Sequence, residues 1–230
     1  MISKDFIKNG INAPKLKKEF YNKNYIEIED LGNETIFKTL KKHKNKKKIY
    51  NKVIKILQLI QKIQTKNLVT FKKNKYKIPQ YTKAKILNEA NLFLEWYLPK
   101  VIKKSKISNA KKEIKNSFGN LLNKIKLKKK VFVHRDFHVS NMMYHKKKIY
   151  LIDTQDAVYG NIAYDLASLI DDVRIKLPSN LQEKLLNFYY YKSKLKKEEY
   201  KNLKNDFEIL SVQRNLKILG IFVRLFKRDS

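Results

Sequence analysis

At 230 residues, 43% of them hydrophobic and with only five glycines and four prolines, the chain has the composition of a helix-rich globular protein that can bury one substantial core, or a large lobe with a small one attached. Cysteine is absent, which excludes a disulfide framework and a zinc–thiolate site. The formal net charge of +32 invites a nucleic-acid reading, but only five of the 53 basic residues are arginine and Lys, Asn, Ile, Tyr and Phe are all abundant, as A/T-rich codon usage produces; weak, sequence-independent nucleic-acid affinity is the expectation.

The first residues, Met1 to Phe6, carry no apolar signal-like core, and no stretch approaches the roughly eighteen uncharged apolar residues of a membrane span, so a cytoplasmic protein with no membrane contact is expected. Residues 1–12 read as the tail of a helix, stopped at Gly10 and turned by Pro14. Leu16 to Phe20 and Tyr25 to Leu31 then read as a hairpin across the turn Tyr21-Asn22-Lys23-Asn24. Ile49, Val53, Ile56, Ile60 and Ile63 step by four and three along one helical face, and Ile114, Phe118, Leu121 and Ile125 repeat the pattern. A helix over 83–104 must end or kink at Pro99. Apolar runs at Lys130 to Val133, Met142 to Tyr144 and Ile149 to Ile152 predict strands, with a turn at His145 to Lys148. Helices follow at Tyr164 to Asp172, Leu181 to Lys192 and Lys197 to Lys227, the last expected to break near Gly220. The whole predicts an α+β protein: a helical main lobe with a small hairpin-centred sheet, and part of a second sheet at the N-terminus.

The chemistry concentrates in Val133-His134-Arg135-Asp136-Phe137-His138-Val139-Ser140-Asn141 and in Ile152-Asp153-Thr154-Gln155-Asp156. Phosphoryl transfer needs a carboxylate near the acceptor hydroxyl, and an amide and a second carboxylate to hold Mg²⁺. Asp136, Asn141 and Asp153 supply those groups, with Asp136 as the candidate base and Asn141 and Asp153 as the candidate metal ligands. The plain alternative is that all three are turn-forming residues that cap backbone amides. His134 and His138 are four residues apart on a loop rather than a helix, which argues against a metal pair and for a role in shaping the loop.

His134 to Asn141, together with the run from Ile152 to Asp172, resembles the aminoglycoside phosphotransferase and choline kinase family, and within it the bacterial kinases that phosphorylate the anomeric hydroxyl of N-acetylmuramate and N-acetylglucosamine. The likeness extends to Ile28-Glu29-Asp30-Leu31-Gly32-Asn33, to Ile78 to Tyr81 with Glu89, Phe93, Trp96 and Tyr97, and to Gln213 to Phe222. It implies a protein-kinase-like fold and the use of ATP and magnesium on a small sugar substrate. It further implies a hinge at Glu29, Asp30 and Leu31 whose backbone reads adenine, and an Asp165 that braces the catalytic loop. Arg135 neutralises phosphate or pairs with a carboxylate; Asp156 stands behind the metal ligand or touches the metal weakly; Trp96, Tyr97 and Arg214 serve packing or the sugar. Thr154 departs from the Phe usual at its place, which bears on local packing.

In that family a five-stranded lobe comes first, with a phosphate-covering loop, a strand lysine and a helix glutamate, and none has a candidate here. The chain is therefore expected to start inside the small lobe, with residues 1–32 a remnant of that lobe and the hinge, and 33–230 the catalytic lobe. A partial sequence of an active kinase, a degenerate kinase and a kinase completed by another chain all fit. A non-catalytic sugar- or metal-binding module and a polyanion-binding protein are the readings from other classes.

Overall fold

In the computed structural model of the chain, residues 2–64, 68–69 and 74–229 are described, and they fall into two compact units: residues 1–80 with 129–195, and residues 81–128 with 196–230.

The first unit opens with α1 (Ile2–Lys8), which ends as its sequence requires. Gly10 takes the left-handed conformation, at φ 75°. Its N–H meets the Ile7 carbonyl at 3.1 Å and the Ile11 N–H meets the Phe6 carbonyl at 2.9 Å. This paired closure is worth most to glycine, and the buried side chains of Phe6 and Ile11 seal it. Strands β1 (Leu16–Phe20) and β2 (Tyr25–Ile28) pair antiparallel from Leu16↔Ile28 to Phe20↔Tyr25, around a turn closed by Asn24 at φ 58°. β2 stops at Ile28, before the expected Leu31, because Asp30 Oδ1 takes the Gly32 N–H at 2.8 Å and curls the chain into a side-chain-closed turn.

Helices α2 (Ile36–Lys42) and α3 (Lys46–Ile60) start at Thr35 and Asn45, whose side chains accept the N–H of Lys38 and Lys48. α3 buries Tyr50, Val53, Ile54, Leu57 and Ile60. The buried face is thus turned by about one residue from the expected one, because Tyr50 and Ile54 fill the core while Ile49 and Ile56 stay half-buried along a groove. Two short strands unforeseen in the sequence, β3 (Leu68–Val69) and β4 (Lys75–Tyr76), pair antiparallel.

Strand β5 (Lys130–Val133) pairs antiparallel with β8 (Val158–Asn161), and β6 (Met142–His145) with β7 (Lys148–Leu151) in a hairpin whose turn residues Lys146 and Lys147 have positive φ. β8 is too short, and too close to its preceding turn, to show by alternation. Phe132 packs edge-on against Phe6 at 5.5 Å between centroids, so α1 supports β5 from below. Helices α7 (Tyr164–Ile170) and α8 (Ser179–Lys192) complete the unit, and every residue of α7 is buried.

The second unit contains α4 (Lys83–Leu92), α5 (Leu98–Val101), α6 (Ile107–Asn123) and α9 (Glu199–Asp229). α4 and α5 are joined by a π-helical turn, Phe93–Tyr97, in which the Leu98 N–H reaches back to the Phe93 carbonyl. Pro99 has no N–H to give to residue 95 and its ring crowds that carbonyl, so the turn before it widens and the segment stops at Val101 rather than 104. In α6, Phe118 and Leu122 are buried, and Ile125 lies beyond the helix end. α9 runs unbroken through Gly220. A Cβ there would stand 2.3 Å from the backbone carbon of Leu92, so the glycine serves close packing against the α4 terminus instead of a break. Asp206 is fully buried and accepts the N–H groups of Lys126 and Leu127 at 2.8 and 2.9 Å.

Candidate active site

The loop between β5 and β6 has almost no regular structure, yet it is anchored at several depths. Phe137 and Val139 are fully buried within it, and the segment closes into a 3₁₀ turn at Val139–Asn141. From the first turn of α7, the buried carboxylate of Asp165 accepts the His134 N–H at 2.6 Å and the Arg135 N–H at 3.1 Å. Arg135 sits at φ 75°, a conformation that costs a residue with a Cβ roughly 1–2 kcal/mol, and two charge-assisted bonds to one carboxylate offset that cost.

Beyond Arg135, the Asp136 carbonyl accepts the His138 N–H at 3.0 Å and the Asn141 side-chain amide at 3.1 Å. The same Asn141 amide donates to Asp153 Oδ2 at 3.3 Å, while the Ile152 N–H donates to the Asn141 carbonyl at 3.1 Å. The start of β6 is thereby tied to the residue after β7. Asp153, at φ 62°, also receives the Gln155 side-chain amide on Oδ1, so both its oxygens face amide donors. Gln155 had no role assigned from sequence. The signal available was an amide two residues beyond an acid in a tight turn.

His134 lies under this arrangement, fully buried against Phe6 and Phe137. Burial pushes its pKa down to about 4, against the opposing pull of Asp136, Asp153 and Asp156. The neutral ring, assigned from its surroundings as the Nε2–H tautomer, donates to the Ile152 carbonyl at 3.1 Å, which links the loop to the end of β7 from inside. His138 is buried too. Arg135 Nη1 reaches the Asp156 carbonyl at 3.4 Å, while the Asp156 side chain is exposed. Thr154 is buried with its hydroxyl 3.3 Å from that of Ser3 on α1, so a small polar contact occupies the place where an aromatic ring was expected.

The structure therefore brings together His134, Arg135, Asp136, His138, Asn141, Asp153 and Asp165. Glu29, Asp30 and Leu31 lie outside the loop and are held locally: Glu29 pairs with Lys15 through its N–H at 2.8 Å and its carboxylate at 3.3 Å, Asp30 closes the turn onto Gly32, and Leu31 is buried. Just after them, the Tyr144 N–H meets the Glu34 carbonyl at 2.7 Å and Thr35 bridges Met143, which sets this stretch beside the hairpin that carries Asn141 and Asp153. In the second unit, Tyr81 and Lys217 both bind Glu89, at 2.6 and 2.8 Å, Arg214 is buried, and Lys227 stands over the Trp96 ring at 5.7 Å.

Asp136, Asn141 and Asp153 are all partly open to solvent and offer only oxygen donors to a cation, the donor type that suits Mg²⁺. Among the described residues no group of three or more His, Cys, Asp or Glu could hold a metal ion, so an ion at this place would take most of its ligands from phosphates and water.

Residues 11–199 match the model of the phosphotransferase enzyme family, and the chain belongs to that family. It is 29% identical over 226 residues to an N-acetylmuramate/N-acetylglucosamine kinase of Neisseria meningitidis serogroup B, covering 95% of this chain and 65% of that protein. A protein of the same name from Pseudomonas aeruginosa is 25% identical, with 96% and 63% covered. The chain thus spans less than two thirds of the length of either relative. Its fold is that of a choline/ethanolamine kinase family protein from Mesorhizobium loti, at TM-score 0.65 and 10% identity over 99% of this chain and 69% of the other. The ADP-bound aminoglycoside phosphotransferase APH(2'')-Ib has the same fold, at TM-score 0.62 and 14% identity over 95% and 72%. The expected kinase-like α+β architecture is therefore the observed one. No helix among the described residues is long and apolar enough to cross a membrane.

Proposed function

We propose that this chain carries the catalytic centre of an ATP- and Mg²⁺-dependent kinase that phosphorylates a hydroxyl of a cell-wall amino sugar, N-acetylmuramate or N-acetylglucosamine, in the cytoplasm. The observation that carries the reading is the Asn141 side-chain amide shared between the Asp136 carbonyl and the Asp153 carboxylate, on a loop pinned by buried Asp165. The names of the two relatives support the sugar.

Asp136 accepts or orients the proton of the attacking hydroxyl, from a side chain that solvent can reach. Asn141 and Asp153 would hold Mg²⁺, which when bound neutralises phosphate charge. The amide of Gln155 keeps the Asp153 carboxylate oriented, and Arg135 supplies positive charge beside the loop. His134, neutral in this environment, acts through the Ile152 carbonyl and never needs to gain a proton. Asp165 and His138 act on loop geometry, and Asp156 lies behind Asp153 with its carboxylate in solvent. Residues 1–32 belong with the nucleotide-binding side, the backbone of Glu29, Asp30 and Leu31 forming the hinge, and 33–230 form the catalytic lobe.

The test is phosphate transfer from ATP to each amino sugar by the wild-type chain and by Asp136→Asn, with binding of a non-hydrolysable ATP analogue measured in parallel. Transfer by the wild type and its loss in Asp136→Asn with analogue binding kept is the expected result. Equal turnover by the two proteins refutes the assignment, and binding without turnover in the wild type favours a non-catalytic module.

A further inference from the structure

Within the first unit, on the side of the β6–β7 hairpin where its turn lies, α2, α3 and the hairpin enclose a cavity of about 670 Å³. Its apolar surface comes from Ile36, Ile49, Ile56 and Ile149, with Tyr144 at the edge. Around this surface stand Lys48, Lys52 and Lys55 from α3 and Lys147 and Lys148 from the hairpin turn, and no carboxylate lines it. Positions 48, 52 and 55 share one helical face and span roughly 10 Å of helix axis. Glu34, two residues before the start of α2, is engaged elsewhere, with Lys42 at 3.2 Å and the Thr39 hydroxyl at 3.3 Å. The half-burial of Ile49 and Ile56, left over from the α3 face that the core does not use, gives the cavity its floor.

We propose that this cavity binds a small organic phosphate with two or more negative charges on an apolar body. Its volume is in the range of small-molecule sites, about 300–1,000 Å³. Five ammonium groups around one concavity repel each other, and an anion between them removes that repulsion, while the isoleucines reward a ligand that also brings apolar surface. A bare phosphate would leave the floor wet, and an uncharged apolar ligand would leave the lysine charges around the rim without a counter-charge. The arrangement is independent of Asp136, Asn141 and Asp153, none of which lines the cavity.

Geranyl diphosphate is a suitable probe, titrated calorimetrically into the 230-residue chain in magnesium-free buffer, beside inorganic diphosphate, an acidic peptide and a duplex oligonucleotide. Geranyl diphosphate should bind at least about tenfold more tightly than inorganic diphosphate, the gain expected from burying a few methylenes. Lys48→Gln/Lys52→Gln should weaken it about tenfold, whereas Lys201→Gln/Lys204→Gln, which removes the same charge from exposed positions of α9, and Asp153→Ala should each change it less than about twofold. Ile56→Ser should reduce the advantage over inorganic diphosphate while preserving the thermal unfolding transition. Equal affinity for the two diphosphates, equal weakening by the two lysine pairs, or loss of binding in Asp153→Ala would overturn the proposal. So would tighter binding of the peptide or the oligonucleotide, which would assign the surface to a macromolecule.

Discussion

The loop at 134–141 and the β1–β2 hairpin invert the usual relation between regularity and order. The hairpin has extended strands paired through a ladder with a single register shift, between Leu16 and Lys18, yet Tyr25, Ile26 and Ile28 are each more than 40% exposed. The loop has one 3₁₀ turn and a residue at positive φ, yet His134, Phe137 and Val139 are completely buried. A backbone ladder can form wherever two extended segments meet. An irregular loop holds one shape only if something buried accepts its unpaired N–H groups and fills the space beneath it. Asp165, His134 and Phe137 do this for the loop, and nothing comparable stands over the described outer face of β2.

Removing the buried brace gives the largest expected effect. Asp165→Ala leaves the His134 and Arg135 N–H groups without their acceptor, and hydrogen bonds to a charged group contribute roughly 1.5–3 kcal/mol each, so a loss of about 3–6 kcal/mol is expected in urea unfolding. A loss below about 1 kcal/mol would mean that the loop is held by packing alone.

Next, Asp136→Asn, which keeps the carbonyl that accepts from His138 and Asn141, should lower phosphoryl transfer by about 10²–10⁴-fold while moving stability by less than about 0.5 kcal/mol. Steady-state rates and an unfolding curve on the same preparation check both halves. A drop in stability comparable to that of Asp165→Ala would place Asp136 among the structural residues of the loop.

The third effect is a pH dependence. His134 has a pKa of about 4 when folded and near 6.5 when unfolded, so below pH 6.5 the unfolded chain takes up a proton that the folded chain refuses. Its contribution is complete above pH 6.5, falls as the pH drops toward 4, and is constant below that. The total is about 3 kcal/mol. The stability difference between wild type and His134→Asn, followed from pH 7.5 to 4, isolates it from the carboxylates. A difference that stays flat would show that the imidazole finds water or a counter-charge in the folded state.

The smallest effect belongs to the hairpin. Ile26→Thr keeps a β-branched side chain on an exposed strand and should change stability by less than about 0.5 kcal/mol. A loss above 1 kcal/mol would show that this face is covered in solution, and the contrast between the two regions would then disappear.

Much of the local structure was legible because its causes are local. Gly10 at the end of α1, the hairpin turn at Asn24 and the start of α7 at Tyr164 depend on residues within a few positions of each other. The grouping of Asp136, Asn141 and Asp153 was legible for a related reason: a short loop and a hairpin leave few ways to arrange them. The roles of Thr154 and Gln155 were not, because the Ser3 hydroxyl comes from a distant helix and the Gln155 rotamer answers to the left-handed turn at Asp153.

By itself the sequence determined the elements that follow from turn chemistry and periodicity, and the residue types that meet at the loop. Only the tertiary structure decided which side of α3 is buried, since Tyr50 and Ile54 compete with Ile49 and Ile56 and periodicity tolerates either choice within a residue. It also decided that Gly220 serves a close approach to Leu92 inside a continuous helix, and that β8 exists at all. In each case the deciding contact joins residues far apart in the chain, and a pattern read along the chain registers the presence of a small or apolar side chain but not the neighbour that requires it.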